Sequence, residues 1–213
     1  MDFYLIPNDP EHTLLVSANG VPHYQIDTEQ GARGNQVTLI QRPGIPSEDN
    51  IIAEIEWGES DMPTIIRSSM LGGAKGVVTK ALDYLYKRHR FGPTRYFVAD
   101  DSQEYRWKMI RGVGCVLTRS DSSTEIASSM SMLSTEGLFA GEKKHILRVQ
   151  PCSVDMDIVI LTFVMMEKKR RDRDGIGGDL YFTPHDADPQ GDGGDGGDGG
   201  DGDAGDGGLV GEL

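Results

Sequence analysis

Basic side chains are concentrated between positions 87 and 108 of the chain. Six of them are candidates for binding an anion: Lys87, Arg88, Arg90, Arg95, Arg106 and Lys108. Arginine forms paired hydrogen bonds with phosphate oxygens and lysine adds a compact charge. If these side chains meet on one surface, they would hold a phosphorylated lipid head group or another polyanion. The alternative interpretation is an ordinary solvated face.

A second basic run, Lys-Lys-Arg-Arg, occupies residues 168–171. At the carboxyl end of a helix, such a run is explained by the negative end of the helix dipole and by solubility. A role in nuclear import or in contact with lipid is the alternative.

The sequence offers little that could perform covalent or metal chemistry. Its five histidines lack the His-x-x-x-His and His-Glu-x-x-His spacings that converge on a metal ion. Cys115 and His145 could pair as nucleophile and base, but we expect Cys115 to be an inert, buried residue. We expect Cys152 to be a packing residue, and a reactive thiol is the alternative, because Cys152 precedes a predicted helix, where the pKa of a thiol can fall. We therefore predict no catalytic residue, no metal site and no cofactor.

The charge divides the chain into two unlike parts. Of its 213 residues, 34 are acidic and 21 are basic, which gives a net charge of −13. Residues 172–213 hold 12 of the acids and one base, whereas residues 1–171 hold 22 acids and 20 bases. We predict one domain over 1–171 and a disordered tail over 172–213, because the Gly-Gly-Asp triplets of the tail have no apolar side chain to bury. The overall acidity argues against binding to nucleic acid.

The ends and the apolar runs of the sequence bear on location. Residues 1–7 lack the basic and apolar regions of a secretory signal. The longest apolar stretch, 158–166, is shorter than the ~20 residues that cross a bilayer. These features predict a cytoplasmic protein without a transmembrane segment, with peripheral-membrane and nuclear locations as alternatives. They do not indicate an oligomeric state.

About ten short segments have the β-branched and aromatic composition of strands. Asn19-Gly20 predicts a tight hairpin turn, since both residues tolerate positive φ. In residues 51–57, apolar and acidic side chains alternate, which predicts a strand with one solvated face. Residues 95–98 and 105–108 predict another hairpin with its charged side chains turned outward. Short strands separated by turns in this way are typical of a β-sandwich or a β-barrel.

One element interrupts the strands. Residues 153–171 predict a helix that is apolar on almost every side and is therefore buried, with Ser153 as its N-cap. The pattern over 77–89 fits either a short helix or an irregular strand.

Three segments carry a resemblance to a known family: residues 52–57 (Ile-Ala-Glu-Ile-Glu-Trp), 105–108 (Tyr-Arg-Trp-Lys) and 157–168. They resemble a domain of unknown function found in mushroom-forming fungi, and the resemblance covers about residues 3–171. The strands followed by one apolar helix are also similar to the Tubby C-terminal and LURP-one architecture. That similarity implies a closed or nearly closed antiparallel β-barrel around the buried C-terminal helix. It implies no catalytic residues.

The sequence therefore predicts a mainly β domain that acts as a non-catalytic binding module. Its expected partner is an anionic lipid head group or another protein. The alternatives are a barrel that binds a small molecule, with or without enzymatic turnover, and a structural protein of the fungal cell without a ligand.

Overall fold

The computed structural model describes residues 1–44, 50–58, 62–71, 78–88, 92–110, 113–135 and 137–174. Within these ranges, twelve strands and two α-helices are present. The strands are Asp2–Ile6 (β1), His12–Ser17 (β2), Pro22–Gln30 (β3), Gln36–Gln41 (β4), Ile51–Glu56 (β5), Ile65–Arg67 (β6), Val78–Lys80 (β7), Arg95–Val98 (β8), Glu104–Ile110 (β9), Gly114–Arg119 (β10), Glu125–Leu133 (β11) and Lys143–Val149 (β12). The helices are Ala81–Tyr84 (α1) and Met156–Asp174 (α2).

The strands form one antiparallel sheet made of two meanders. Its order is β7-β6-β5-β4-β3-β2-β1-β12-β11-β10-β9-β8. Strands β1 to β7 are neighbours in chain order, and so are β8 to β12. The two meanders are joined by β1 and β12, where Phe3 lies opposite Leu147. The prediction of a mainly β protein is confirmed.

The two edge strands, β7 and β8, do not pair with each other as a ladder. The segment after α1 reaches β8 through Tyr86 and Tyr96, which exchange two backbone N–H···O hydrogen bonds of 2.8 Å. The pairing of the described residues therefore defines an open twelve-stranded sheet, and closure into a barrel stays a prediction.

Helix α2 fills the concave side of this sheet. It contacts β5 from one meander and β9 and β10 from the other, so the sheet curls around it. Every residue from 158 to 167 is buried, which confirms the predicted burial of this helix. The indole of Trp107 donates a hydrogen bond of 2.9 Å to the Thr162 hydroxyl. A polar side chain on the innermost turns of α2 is thereby satisfied.

The predicted start of this helix was wrong. The helix begins at Met156, and the Asp155 carboxylate accepts the backbone N–H of Asp157 at 2.9 Å, which makes Asp155 the N-cap. The Ser153 hydroxyl instead donates to Asp101 at 2.7 Å. The helix also continues to Asp174, so residues 172–174 belong to it. The rest of the predicted tail lies outside the described residues.

The predicted hairpins are present. The turn at Asn19-Gly20 joins β2 to β3, although only Gly20 has a positive φ, of 85°. In β5, Ala53 and Ile55 are buried while Glu54 is partly exposed, as the alternation predicts. The ambiguous segment 77–89 contains both β7 and α1.

Within the described part of the chain, no helix combines the length and the apolar composition that crossing a membrane requires.

Candidate functional site

Of the six basic side chains predicted to bind an anion, the five that the structure describes do not share one surface. Arg88 is engaged by other residues: it pairs with Glu104, and its guanidinium carbon lies 4.7 Å from the centre of the Tyr96 ring. Arg90 lies outside the described residues. Lys87 is exposed.

Two more of the six lie on the outer face of β9. Arg106 donates to the Thr118 hydroxyl at 3.0 Å, and Lys108 is exposed. The buried residues Tyr105 and Trp107 alternate with them. The predicted outward orientation of the charged side chains is therefore confirmed for this strand.

Arg95 faces the opposite way, so its predicted outward orientation was wrong. It lies opposite Trp107 in the β8–β9 register, and it is only 9% exposed. One of its terminal nitrogens donates to the carbonyls of Gly92 and Thr94, at 3.3 and 3.1 Å. Its Nε is buried without an acceptor, and within the described ranges no carboxylate pairs with it. Burial lowers the pKa of Arg95.

Lys169 is a second cation that is removed from solvent without an ion pair among the described residues. It was not among the predicted candidates. It is half-buried on α2, and no hydrogen bond or ion pair engages it in the part of the chain described above. Burial lowers the pKa of Lys169, the charges of Arg95 and Lys87 lower it further, and Asp172 acts in the opposite direction. Lys169 therefore lies close enough to Arg95 and to Lys87 for their charges to act on it. We call these three residues the open cation cluster.

The helical periodicity of α2 explains where Lys169 lies. It follows Met165 by four residues and Leu161 by eight, so the three side chains share one face of the helix. Met165 and Leu161 are completely buried. The continuation of this apolar face to a lysine is the sequence signal from which Lys169 could have been found.

The neighbours of Lys169 on the same turn are paired with carboxylates. Lys168 pairs with Glu11, and Arg171 with Asp9 at 2.9 Å. Arg170 is 2% exposed and lies 2.6 Å from Glu167, which is fully buried. We call the set Asp9, Glu11, His145, Glu167, Lys168, Arg170 and Arg171 the paired cluster. The explanation by the helix dipole and solubility missed these ion pairs.

His145 completes the paired cluster. It is 2% exposed, and its Nε2 lies 3.7 Å from the Glu167 carboxylate. Its Nδ1 is within hydrogen-bonding distance of the Ser131 hydroxyl, at 3.2 Å. Burial lowers the pKa of His145, and this effect outweighs the attraction of Glu167.

The thiol of Cys115 is unsuited to act as a nucleophile with His145 as its base. Cys115 is completely buried. Burial, and next the charge of Glu167, raises the pKa of Cys115 to about 12. A thiol with this pKa stays protonated at neutral pH, whereas nucleophilic cysteines need a lowered pKa. Cys152 is exposed, and its thiol lies 3.9 Å from the Val154 carbonyl.

The fold defines the class of protein: a curled antiparallel sheet that packs against a buried C-terminal helix. Residues 8–172 match the profile of a family of unknown function, DUF6593, and the chain belongs to this family. Neither a curated protein nor a solved structure matches the chain significantly.

Proposed function

We propose that this protein is a non-catalytic module that binds a phosphorylated lipid head group at the open cation cluster. The observation that carries this proposal is that Arg95 is buried and Lys169 half-buried while neither forms an ion pair with a carboxylate of the described residues. Removing a cation from water costs several kcal/mol unless an anion accompanies it. A bound anion would offset this cost.

The chemistry of the three side chains favours phosphate as the anion. Arginine suits phosphate oxygens as acceptors, and the buried Nε of Arg95 has no acceptor among the described residues. Lys169 and Lys87 contribute point charges, as lysines do in many phosphate sites. Three cations together suit a ligand that carries more than one negative charge.

The segment 78–88 favours a ligand held in a membrane. It contains Lys87, and it also exposes Val78 by 57% and Leu82 by 62%. Apolar side chains beside cations strengthen binding to an anionic bilayer, since the apolar groups enter the interface while the cations contact head groups.

For the fold, we propose that the sheet closes as a barrel around α2. The contacts of α2 with both meanders and the hydrogen bonds between Tyr86 and Tyr96 support closure. A closed sheet would also leave no free edge for another chain to pair with.

Vesicle flotation tests the binding proposal. The full chain is mixed with phosphatidylcholine vesicles with or without a phosphoinositide, at low and at physiological salt. We expect flotation that depends on the phosphoinositide and weakens with salt. Lys169→Gln should reduce binding about tenfold or more, since a hydrogen bond to a charged group contributes about 1.5–3 kcal/mol.

Lys108→Gln is the matched control, because Lys108 is an exposed lysine on the outer face of β9. It should bind like the unmodified chain. Equal loss in both variants would indicate general surface charge and contradict a site at the open cation cluster. Absence of flotation by the unmodified chain would contradict the proposal altogether.

A further inference from the structure

A short segment between the first two strands is fastened to the residue that carries the buried imidazole. We call residues 8–11, in the loop that links β1 to β2, the strap. The side-chain amide of Asn8 donates to the Lys143 carbonyl at 3.2 Å. The side-chain carbonyl of Asn8 accepts the backbone N–H of His145 at 2.9 Å. Through Asn8, the strap is therefore attached to β12 at and beside His145.

The strap is also attached to the last turns of α2. Arg171 donates to the Asp9 carboxylate at 2.9 Å and to the Asn8 carbonyl at 3.3 Å. Lys168 pairs with Glu11. All of these contacts involve a side chain, whereas β12 and α2 are held by backbone hydrogen bonds within the sheet and the helix. The strap is therefore the part of this junction that can detach at the lowest cost.

The imidazole of His145 is surrounded in a way that suits only its neutral form. Its Nδ1 lies 3.2 Å from the Ser131 hydroxyl, and its Nε2 is buried without a hydrogen-bond partner among the described residues. The Glu167 carboxylate is 3.7 Å from Nε2, which is beyond hydrogen-bonding distance, and it accepts from Arg170 at 2.6 Å instead. The ring of Phe163 stacks beside the imidazole, with 6.5 Å between the ring centres. An imidazolium has an N–H at both nitrogens, so one of them would be buried without an acceptor.

The charges around His145 are balanced before it takes up a proton. Three carboxylates and three cations of the paired cluster face one another: Asp9, Glu11, Glu167, Lys168, Arg170 and Arg171. A further carboxylate, Asp172, lies 3.9 Å from Lys168 at an exposed position. Protonation of His145 would add a fourth cation to the cluster. Burial opposes this charge most strongly, Glu167 attracts it, and the two arginines repel it. The net effect lowers the pKa of His145.

We propose that the strap is acid-sensitive: protonation of His145 detaches residues 8–11 from β12 and from the end of α2 while the other strands stay folded. Detachment admits water, which supplies the acceptor that the buried imidazolium lacks. The strap is thus a local device that responds to acid before the whole domain unfolds. This inference does not depend on lipid binding.

Native-state hydrogen exchange of the full chain, followed by NMR, tests this inference. The reporters are the backbone amides of His145 and His12, whose acceptors belong to Asn8 and Asp9. Below about pH 6.5, their protection should fall by up to about tenfold per pH unit, because the open state binds one more proton than the closed state. Protection that is independent of pH would overturn the inference.

Low concentrations of urea distinguish opening of the strap from global unfolding. The amide of Leu161, in the buried middle of α2, is the reference. Its protection should fall with urea, whereas that of the two reporters should hardly change, since detachment of four residues exposes little surface. An equal dependence on urea for reporters and reference would show global unfolding and overturn the inference.

His145→Gln tests whether this histidine is the group that responds to acid. The pH dependence of the His12 reporter should disappear in this variant. His23→Gln is the matched control, because His23 contacts Ser17 at the end of β2 opposite the strap. It should retain the pH dependence. Retention in His145→Gln as well would overturn the role of His145.

Asn8→Ala tests the connection between strap and histidine without changing the buried ring. It removes both hydrogen bonds to β12, so protection of the His12 reporter should fall about tenfold at every pH. The imidazole resonances of His145 should then titrate about one pH unit higher than in the unmodified chain. Asn35→Ala, which removes a side-chain hydrogen bond to Glu56, should change neither quantity. Equal titration midpoints in the unmodified and Asn8→Ala chains would overturn the connection.

Discussion

The last turns of α2 carry two groups of cations with opposite surroundings. In the paired cluster, the loop before β2 supplies Asp9 and Glu11, and the helix itself supplies Glu167. On the side of α2 that faces Arg95, the described residues supply no carboxylate within ion-pairing distance. The same residue types thus have different consequences. Where carboxylates are provided the cations hold the fold together, and where they are missing the cations have no ion-pair partner among the described residues.

The largest expected effect comes from breaking the paired cluster at its centre. Glu167→Gln removes the carboxylate charge that lies 2.6 Å from the buried Arg170 guanidinium, so the free energy of unfolding should fall by about 3–5 kcal/mol. Urea denaturation measures this loss. Glu142→Gln, at an exposed residue paired with Lys144, should cost less than about 1 kcal/mol. Similar losses in the two variants would contradict a structural role for the buried pair.

A decrease in pH is expected to have an intermediate effect on the free energy of unfolding, because the unfolded state protonates His145 more readily than the folded state does. The lowered pKa keeps His145 neutral in the folded state, while the unfolded state takes up a proton below about pH 6.5. Both states are neutral above that pH, so no stability is lost there. Below it, the free energy of unfolding should fall by up to about 1.4 kcal/mol per pH unit, until the folded pKa is reached.

Urea denaturation between pH 7.5 and 5.0 measures this slope, and His145→Gln should flatten it. His12→Gln, at an exposed histidine, should retain it. An unchanged slope in His145→Gln would show that His145 does not carry the acid sensitivity of the paired cluster.

The smallest effect on stability is expected from substitutions of the adjacent residues Lys168 and Lys169. These two variants compare the two clusters most directly. Lys168→Met removes the ion pair with Glu11 and the contact with the Trp57 ring, 5.4 Å from the ammonium group, and should cost about 1 kcal/mol. Lys169→Met removes an unpaired, half-buried charge and should leave the stability unchanged or slightly higher.

Thermal unfolding and vesicle flotation of both lysine variants complete this test. Lys169→Met should lose vesicle binding, and Lys168→Met should keep it. The reverse pattern in either measurement would mean that the two clusters have been assigned the wrong roles.

Local periodicity made much of the fold predictable. The alternation around Ala53 and Ile55 and the apolar surface of α2 each depend on neighbouring residues alone. The start of α2 was not predictable in this way, because Ser153 and Asp155 are both good N-caps. A contact with Asp101, more than fifty positions away, engages Ser153 and leaves the cap to Asp155.

The candidate site was only partly predictable. Arg95 and Phe97 are two residues apart on β8 and share its inner face, so the pattern itself indicated burial of the arginine. The general preference of arginine for the surface favoured the wrong assignment. The ion-pair partners Asp9 and Glu11 could not be predicted from the sequence around residues 168–171, because they lie about 160 positions earlier in the chain. Ion pairs over such separations depend on the complete topology.

The position of α2 in the chain has a consequence for biosynthesis. The helix follows all twelve described strands, so the ribosome synthesises it after every strand against which it packs. Strand β1 likewise waits for β12, its neighbour at the junction of the two meanders. During translation, the inner faces of the early strands remain without their apolar partner, which is the condition under which nascent chains aggregate or recruit chaperones. The native state becomes accessible only when the last helix has left the exit tunnel.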